Sequence, residues 1–213
     1  MGKFRSSLLG KLRNHVAENL YQVQRGQNIV RSMPSHYTDK KSPSQMVLRL
    51  RFNTYLDFYN QNKYYITKGW QSIKKGYTVS NSRMAYNFIK AMSYGGVSWD
   101  IIYSQFLFFK GFLKNQLNFH ITALPLSNLI QLTWDNTIQP GSNPGDLLLI
   151  QTYCPDIKRG YTDQSGQNRT VGTYTTNVPY EFQGHDVYVW INFYSVGQIL
   201  SSTSQYLGVV SMT

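Results

Sequence analysis

The spacing of apolar positions along the chain changes near residue 97, and the change separates two kinds of predicted element. Before it, Val47, Leu48, Phe52, Tyr55, Leu56 and Tyr59 recur at helical intervals. They follow Ser42-Pro43-Ser44-Gln45, which offers a Ser cap, Pro at the first helical position and Gln at the third. A helix over residues 42–61 is therefore expected. A shorter helix is expected over Thr67–Lys75, with Trp70 and Ile73 on one side. A third is expected near Ser82–Met92, carrying Met84, Ala85, Phe88, Ile89 and Met92 and stopped by Gly95-Gly96.

Beyond that point the period shortens toward alternation. Val97, Trp99, Ile101 and Tyr103, with the aromatic run Gln105–Lys110, predict a pair of strands. Strand-like segments follow near Leu117–Ala123, Leu129–Trp134, Asp146–Tyr153, Thr170–Thr175, Asp186–Tyr194 and Gln205–Met212. Turn-rich stretches separate them: Pro140–Gly145, Asp163-Gln164-Ser165-Gly166 and Ser201–Ser204. Short strands with turns between them predict a two-sheet antiparallel sandwich. Its inward positions would include Ile130, Leu132, Trp134, Leu148, Ile150, Val187, Val189 and Ile191.

Residues 1–41 fit neither pattern. Basic residues are scattered there among Gly2, Gly10, Gly26 and Pro34, with only short apolar bursts such as Leu8-Leu9 and Ile29-Val30. So little apolar material predicts an extended basic arm. The fold class expected is thus mainly β with a helical N-terminal part. In order come a basic arm (1–41), two to three helices (42–96), a connecting β-hairpin (97–116) and a β-sandwich (117–213).

Charge sharpens this division. Residues 1–120 carry 18 Lys and Arg against four acids, a net +14, whereas residues 121–213 carry three against six, a net −3. Such asymmetry points to a negatively charged partner for the first part: nucleic acid, an anionic membrane or an acidic protein surface. The 17 Tyr, 11 Phe and four Trp suit half-buried strands and contact surfaces. The single cysteine, Cys154, excludes an intrachain disulfide and a cysteine-based metal cluster, which fits assembly in a cytosol. The apolar stretches Trp99–Phe109 and Asp186–Tyr194 are too short to span a bilayer, so no membrane partner is expected. The start of the chain does not read as a secretory signal. Gly2 with Ser6 matches the loose myristoylation pattern but reads more simply as the beginning of the basic arm.

Ile130-Gln-Leu-Thr-Trp134 resembles the second strand of a fibronectin type III or immunoglobulin-like domain. Asp186–Tyr194 resembles its sixth strand, with a last strand at Tyr206–Met212. The N-terminal Gly-Lys element, Gly26-Gln-Asn-Ile-Val-Arg-Ser-Met-Pro34, the Gln45–Phe52 helix and this C-terminal half together resemble a family of uncharacterised proteins from Bacteroidota and their phages. The resemblance implies an Ig-like β-sandwich and a phage setting, and brings no catalytic residues.

Nor do the residues themselves point to catalysis. His15, His36, His120 and His185 lie in no metal-ligand spacing, and the glycine clusters lack the strand-turn-helix context of a phosphate loop. Cys154-Pro155 reads as a buried small residue at a strand end, and Asp135 and Asp146 as turn residues. No catalytic residue, metal or cofactor is expected. The expected function is that of a non-enzymatic structural subunit of a bacteriophage virion, a tail, neck or ring component assembled in the host cytoplasm. It would be a homo-oligomer that contacts its own copies and other virion proteins. The interface expected is Lys3, Phe4, Arg5, Leu8, Leu9, Lys11, Arg13, Tyr21, Arg25 and Arg31. A second reading is nucleic-acid binding through Arg49, Arg51, Lys63, Lys68, Trp70, Lys74 and Lys75, which interleave with tyrosines, nonspecific contact with packaged DNA being its simplest form. A third is an Ig-like adhesion module, which the basic arm and the missing signal disfavour.

Overall fold

The computed structural model describes residues 2–4, 14–16, 19–24, 27–32, 38–62, 69–71, 73, 77–125, 127–198 and 200–213. The chain divides into two compact units, Met1–Pro43 and Ser44–Thr213.

The first unit holds β1 (Gly2–Phe4), β2 (Asn14–Val16), β3 (Asn19–Gln24) and β4 (Gln27–Ser32). They form an antiparallel sheet in the order β1-β4-β3-β2. Among the described residues of 1–41, this sheet stands where an extended arm was expected. Leu20, Tyr21, Val23, Ile29 and Val30 suit strands, and only Arg25-Gly26 separate the facing residues Gln24 and Gln27. Ile29 and Val30 therefore find partners across a local hairpin, opposite Gln22 and Tyr21, without needing a large core. Asn28 and Ile29 are buried.

The second unit opens on α1 (Pro43–Gln61), close to its expected bounds. Of the helix expected over Thr67–Lys75, the described residues Gly69–Gln71 and Ile73 are not helical, and the rest lies outside the described residues. Gly69 has φ +89°, off any right-handed helical path, and the bare Cα lets the Phe109 ring pack against it. Trp70 instead makes an isolated bridge with Lys110.

α2 (Val79–Lys90) starts earlier than expected, because Thr78 is the cap: its hydroxyl accepts a hydrogen bond from Asn81 N at 3.2 Å. The hairpin that follows also differs. β5 (Met92–Tyr94) pairs with β6 (Trp99–Ile101) around Gly95 and Gly96, the latter with φ +88°. The glycines expected to end a helix turn a hairpin.

Gln105–Lys110, expected as a strand, joins none of the sheets, and its middle residues take side-chain partners. Leu107 N donates to Asn87 Oδ1, and Asn87 Nδ2 donates back to Leu107 O, both at 3.0 Å. Ser204 Oγ accepts from Phe108 N and Phe109 N. The segment can thus bury Phe106, Phe108 and Phe109 without a partner strand.

Two antiparallel sheets complete the unit. One, in the order β11-β8-β7, is built from β7 (His120–Ala123), β8 (Leu129–Thr133) and β11 (Thr173–Asn177). The other, β10-β9-β12-β13, is built from β9 (Leu147–Cys154), β10 (Arg159–Asn168), β12 (Asp186–Tyr194) and β13 (Gln205–Ser211). The chain is thus mainly β with antiparallel sheets. β10 runs through Asp163–Gly166, where a turn was expected. Gly166, with φ +68°, takes up the break in register between Gln164 and Asn168, and Asp163 accepts hydrogen bonds from Tyr174 and Thr176. The strand expected over Thr170–Thr175 begins three residues later, after Gly172 at φ +74°.

All eight expected inward positions are buried in one core shared by the two sheets. The other face of the four-stranded sheet is buried as well. Leu149, Tyr153 and Trp190 point away from that core into a second one with Tyr55 and Phe58 of α1, Ala91, Met92, Phe106, Phe108 and Phe109. Phe58 meets Phe106 edge-on at 4.8 Å and Tyr153 at 4.7 Å, while Trp190 meets Phe108 at 5.1 Å. β9 and β12 are therefore covered on both faces, which is why they read as nearly unbroken apolar runs.

Candidate functional site

The cationic residues expected to meet a partner divide in the folded chain. Lys3 and Phe4 lie in β1, Tyr21 is half-buried in β3, and Arg31 is exposed in β4 opposite Leu20. Arg5, Leu8, Leu9, Lys11, Arg13 and Arg25 lie outside the described residues, as do Lys63, Lys68, Lys74 and Lys75. Arg49 is exposed on α1.

Two members of the expected nucleic-acid set serve the interior. Arg51 donates to the Phe88 carbonyl and places its guanidinium 4.2 Å from the Trp99 ring centroid and 4.9 Å from that of Phe88. It ties α1 to α2 and the hairpin. Trp70 is only 4% exposed and packs against Tyr86 at 5.8 Å, so its faces are not free to stack on a base. Arg83 is spent similarly, 4.6 Å above the Tyr59 ring. Burial pushes the Tyr55 phenol up, and the charge and hydrogen bond of Arg83 oppose part of that shift.

Three surface features remain for function. The first is a cleft of about 210 Å³ along α2, bounded by Trp70, Tyr77, Tyr86, Ile89, Lys90 and Lys110. Lys110 Nζ sits 4.5 Å above the Tyr86 ring, so the cleft pairs cationic and aromatic groups.

The second is apolar surface on the helical layer. Met46, Leu48 and Leu50 of α1 are exposed, as are Ile89 of α2 and Tyr94 and Val97 of the hairpin, Val97 at 86%. Trp99 Nε1 donates to Val47 O at 3.0 Å, and Tyr94 packs on Trp99 at 5.0 Å. The start of α1 and the hairpin thus present one neighbourhood.

The third feature was not legible in the sequence. Cys154 ends β9, Asp156 lies in the connection to β10, and His185 stands just ahead of β12. Their sulfur, carboxylate and imidazole donors lie within 4.8 Å of one another. His185 Nδ1 is 2.9 Å from Asp156 Oδ2 across 29 residues of chain, a separation at which no spacing rule operates. The pairing of β9 with β12 brings the three together.

A protein-family profile described as "Family of unknown function (DUF6266)" matches residues 11–208. The chain belongs to this family. The match reaches both units of the DUF6266 chain, from ahead of β2 to within β13, and leaves β1 outside. No curated protein matches it. Among the described residues of this DUF6266 protein, no helix is long and apolar enough to cross a membrane.

Proposed function

We propose that this DUF6266 protein is a structural subunit that assembles with copies of itself, the phage virion being the setting its sequence resemblance implies. The observation that carries this reading is the apolar surface at the start of α1 and on the hairpin. Met46, Leu48, Leu50, Tyr94 and Val97 face solvent although α1 already buries Tyr55 and Phe58 on its packed side. Met46 and Leu50 stand one turn apart on one side of α1, near the hairpin that carries Tyr94 and Val97, and exposed apolar groups gathered on a folded unit mark association surfaces. The occupant that suits this one is a second copy, with the N-terminal sheet a further contact.

We also infer that the two sheets form a fibronectin III-like sandwich. Taken in chain order as seven strands, β7 to β13 give a first-second-fifth sheet and a fourth-third-sixth-seventh sheet. The order supports placing β8 second and β12 sixth. It differs from the constant-type immunoglobulin arrangement in that the fourth strand, β10, joins the third rather than the fifth.

Light scattering coupled to size exclusion tests the assembly reading. The full chain should run as a defined oligomer, and Leu50→Glu with Val97→Glu should shift it toward monomer with an unchanged circular dichroism spectrum. A wild-type chain that stays monomeric up to high micromolar concentration would overturn the proposal. Nonspecific nucleic-acid contact is a second reading, favoured by Lys90 and Lys110 beside Tyr77 and Tyr86. Its mark would be single-stranded DNA binding that weakens steeply with salt and is lost on Lys90→Glu with Lys110→Glu.

A further inference from the structure

We propose that Cys154, Asp156 and His185 form a mononuclear site for a divalent transition metal of borderline softness, zinc foremost, with a fourth coordination position open to solvent. The donor set decides the class of metal. A sulfur, an imidazole nitrogen and one carboxylate suit zinc and its near neighbours, whereas magnesium and calcium require mostly oxygen. The geometry is close to what such an ion needs. With bonds of about 2.0–2.3 Å, tetrahedral donors stand roughly 3.3–3.8 Å apart. The three donors here lie within 4.8 Å of one another; His185 Nδ1 and Asp156 Oδ2, at 2.9 Å, are a hydrogen-bonded pair that opens by about half an ångström to admit the ion. Side-chain adjustments of about an ångström close the site around an ion.

The backbone under these side chains is fixed. Cys154 pairs with Arg159 in the β9-β10 register, and Lys158 N donates to Pro155 O at 3.1 Å, with Lys158 at φ +51° closing the turn that carries Asp156. His185 N donates to Phe182 O at 3.1 Å, and Met212 N donates to His185 O at 3.0 Å. The three donors thus stand on anchored segments of one sheet and its connection.

Burial is graded across the site. The Asp156 side chain is 63% exposed, that of His185 35%, and Cys154 is fully buried. The thiol is the inner donor, within 4.8 Å of both outer ones, so an ion seated between Asp156 and His185 is met by Cys154 from the core side. On binding, the Cys154 S–H proton leaves to solvent and the sulfur binds as thiolate. One thiolate and one carboxylate then offset the two positive charges of the ion, and uptake releases a proton. The bound ion would fasten the β9-β10 connection to the start of β12.

Cobalt(II) is the probe, because it reports both a thiolate ligand and tetrahedral geometry in its spectrum. Titrating the reduced full-length chain should give a sulfur-to-cobalt charge-transfer band in the near ultraviolet that saturates at one equivalent and is displaced by zinc. His185→Gln and Asp156→Asn, which alter solvent-facing side chains and should fold normally, should each weaken binding at least tenfold. Cys154→Ser should abolish the band. Because Cys154 lies in the core, that variant is read only if its circular dichroism matches wild type; otherwise the wild-type band and the His185→Gln titration decide. No charge-transfer band at equimolar cobalt would overturn the proposal. So would a band retained at wild-type affinity in His185→Gln, or binding without any thiolate signature.

Discussion

Replacing Asp146 by Ala should destabilise the second unit more than any comparable surface change, because it strands a buried cation. Arg169 has no exposed surface, and its Nε donates to Asp146 Oδ2 at 3.0 Å. The guanidinium also donates to Gln116 Oε1 at 3.3 Å and lies 4.1 Å from the Phe193 ring centroid. Burial lowers the Arg169 pKa, and the Asp146 carboxylate opposes that shift by charge and hydrogen bond. Without Asp146, an amide and a ring face are left to offset the charge, and Asn143 N loses its 3.0 Å acceptor. Removing one partner of a buried pair costs about 3–5 kcal/mol. At roughly 2–4 °C per kcal/mol for a unit of this size, the thermal midpoint should fall by about 10 °C. Arg169→Met should cost a similar amount by leaving the carboxylate buried. Combining it with Asp146→Ala should restore much of the loss, since neither charge is then stranded. Urea and thermal unfolding followed by circular dichroism would complete the double-mutant cycle. Single variants within about 1 kcal/mol of wild type, or a double variant whose cost equals the sum of the singles, would refute the reasoning.

Other outcomes follow from buried contacts. Asn87→Ala should cost about 1–3 kcal/mol in urea denaturation, because the half-buried Leu107 loses a partner for both its N–H and its C=O; a loss below about 0.5 kcal/mol would show that water replaces the carboxamide. Gly111→Ala should cost about 2–3 kcal/mol or more, since a Cβ there would overlap the Ser201 carbonyl, and a variant that melts like wild type would mean that the two segments yield easily. Burial first, then the charges of Tyr188 and Asp100, pushes Tyr103 up to about 12, while burial and the Asp163 hydrogen bond push Tyr174 up to about 12. Both folded pKa values lie above the unfolded value near ~10. Their contribution is therefore complete below about pH 10 and is lost as pH rises toward 12. Urea midpoints should fall across that window, less so in Tyr103→Phe, and a flat profile would count against the buried phenols.

Local signals were legible where one short segment carries the whole cause. Pro43 marks the start of α1, and Asp186–Tyr194 forms β12 residue for residue. Periodicity failed where polar side chains find partners far along the chain. Asp163–Gly166 within β10 reads as a turn because Asp163, Gln164 and Ser165 are polar and Gly166 follows, yet Asp163 takes Tyr174 and Thr176, and Ser165 donates to Leu148 O. The aromatic run to Lys110 reads as a strand, yet the backbone bonds of Leu107 and Phe108 come from Asn87 and from Ser204, 96 residues from Phe108. Among site candidates, sequence shows charge but not what faces it. Arg51 and Trp70 looked available and proved to be packed against aromatic rings, whereas Cys154, Asp156 and His185 looked unrelated until β9 and β12 paired.

The charge boundary near residue 120 is therefore not a boundary of folding. The strand region 117–213 looked self-sufficient because its inward positions alone make a core, but the outer face of its four-stranded sheet is equally apolar. Leu149, Tyr153 and Trp190 are each less than 5% exposed only because α1 and the segment 92–109 cover them. At roughly 1.5–3 kcal/mol per large side chain returned to water, uncovering these three forfeits about 5–9 kcal/mol, comparable with the whole stability of a typical domain. A fragment 117–213 should accordingly be insoluble or melt without cooperativity, whereas 44–213, which keeps the second unit intact, should melt cooperatively. Differential scanning calorimetry of the two fragments decides the point. If 117–213 unfolded cooperatively within a few degrees of 44–213, the helical layer would be an accessory to a self-standing two-sheet fold. If it does not, the basic helical segment is half of the sheet's core, and only the side chains it leaves exposed are available to partners.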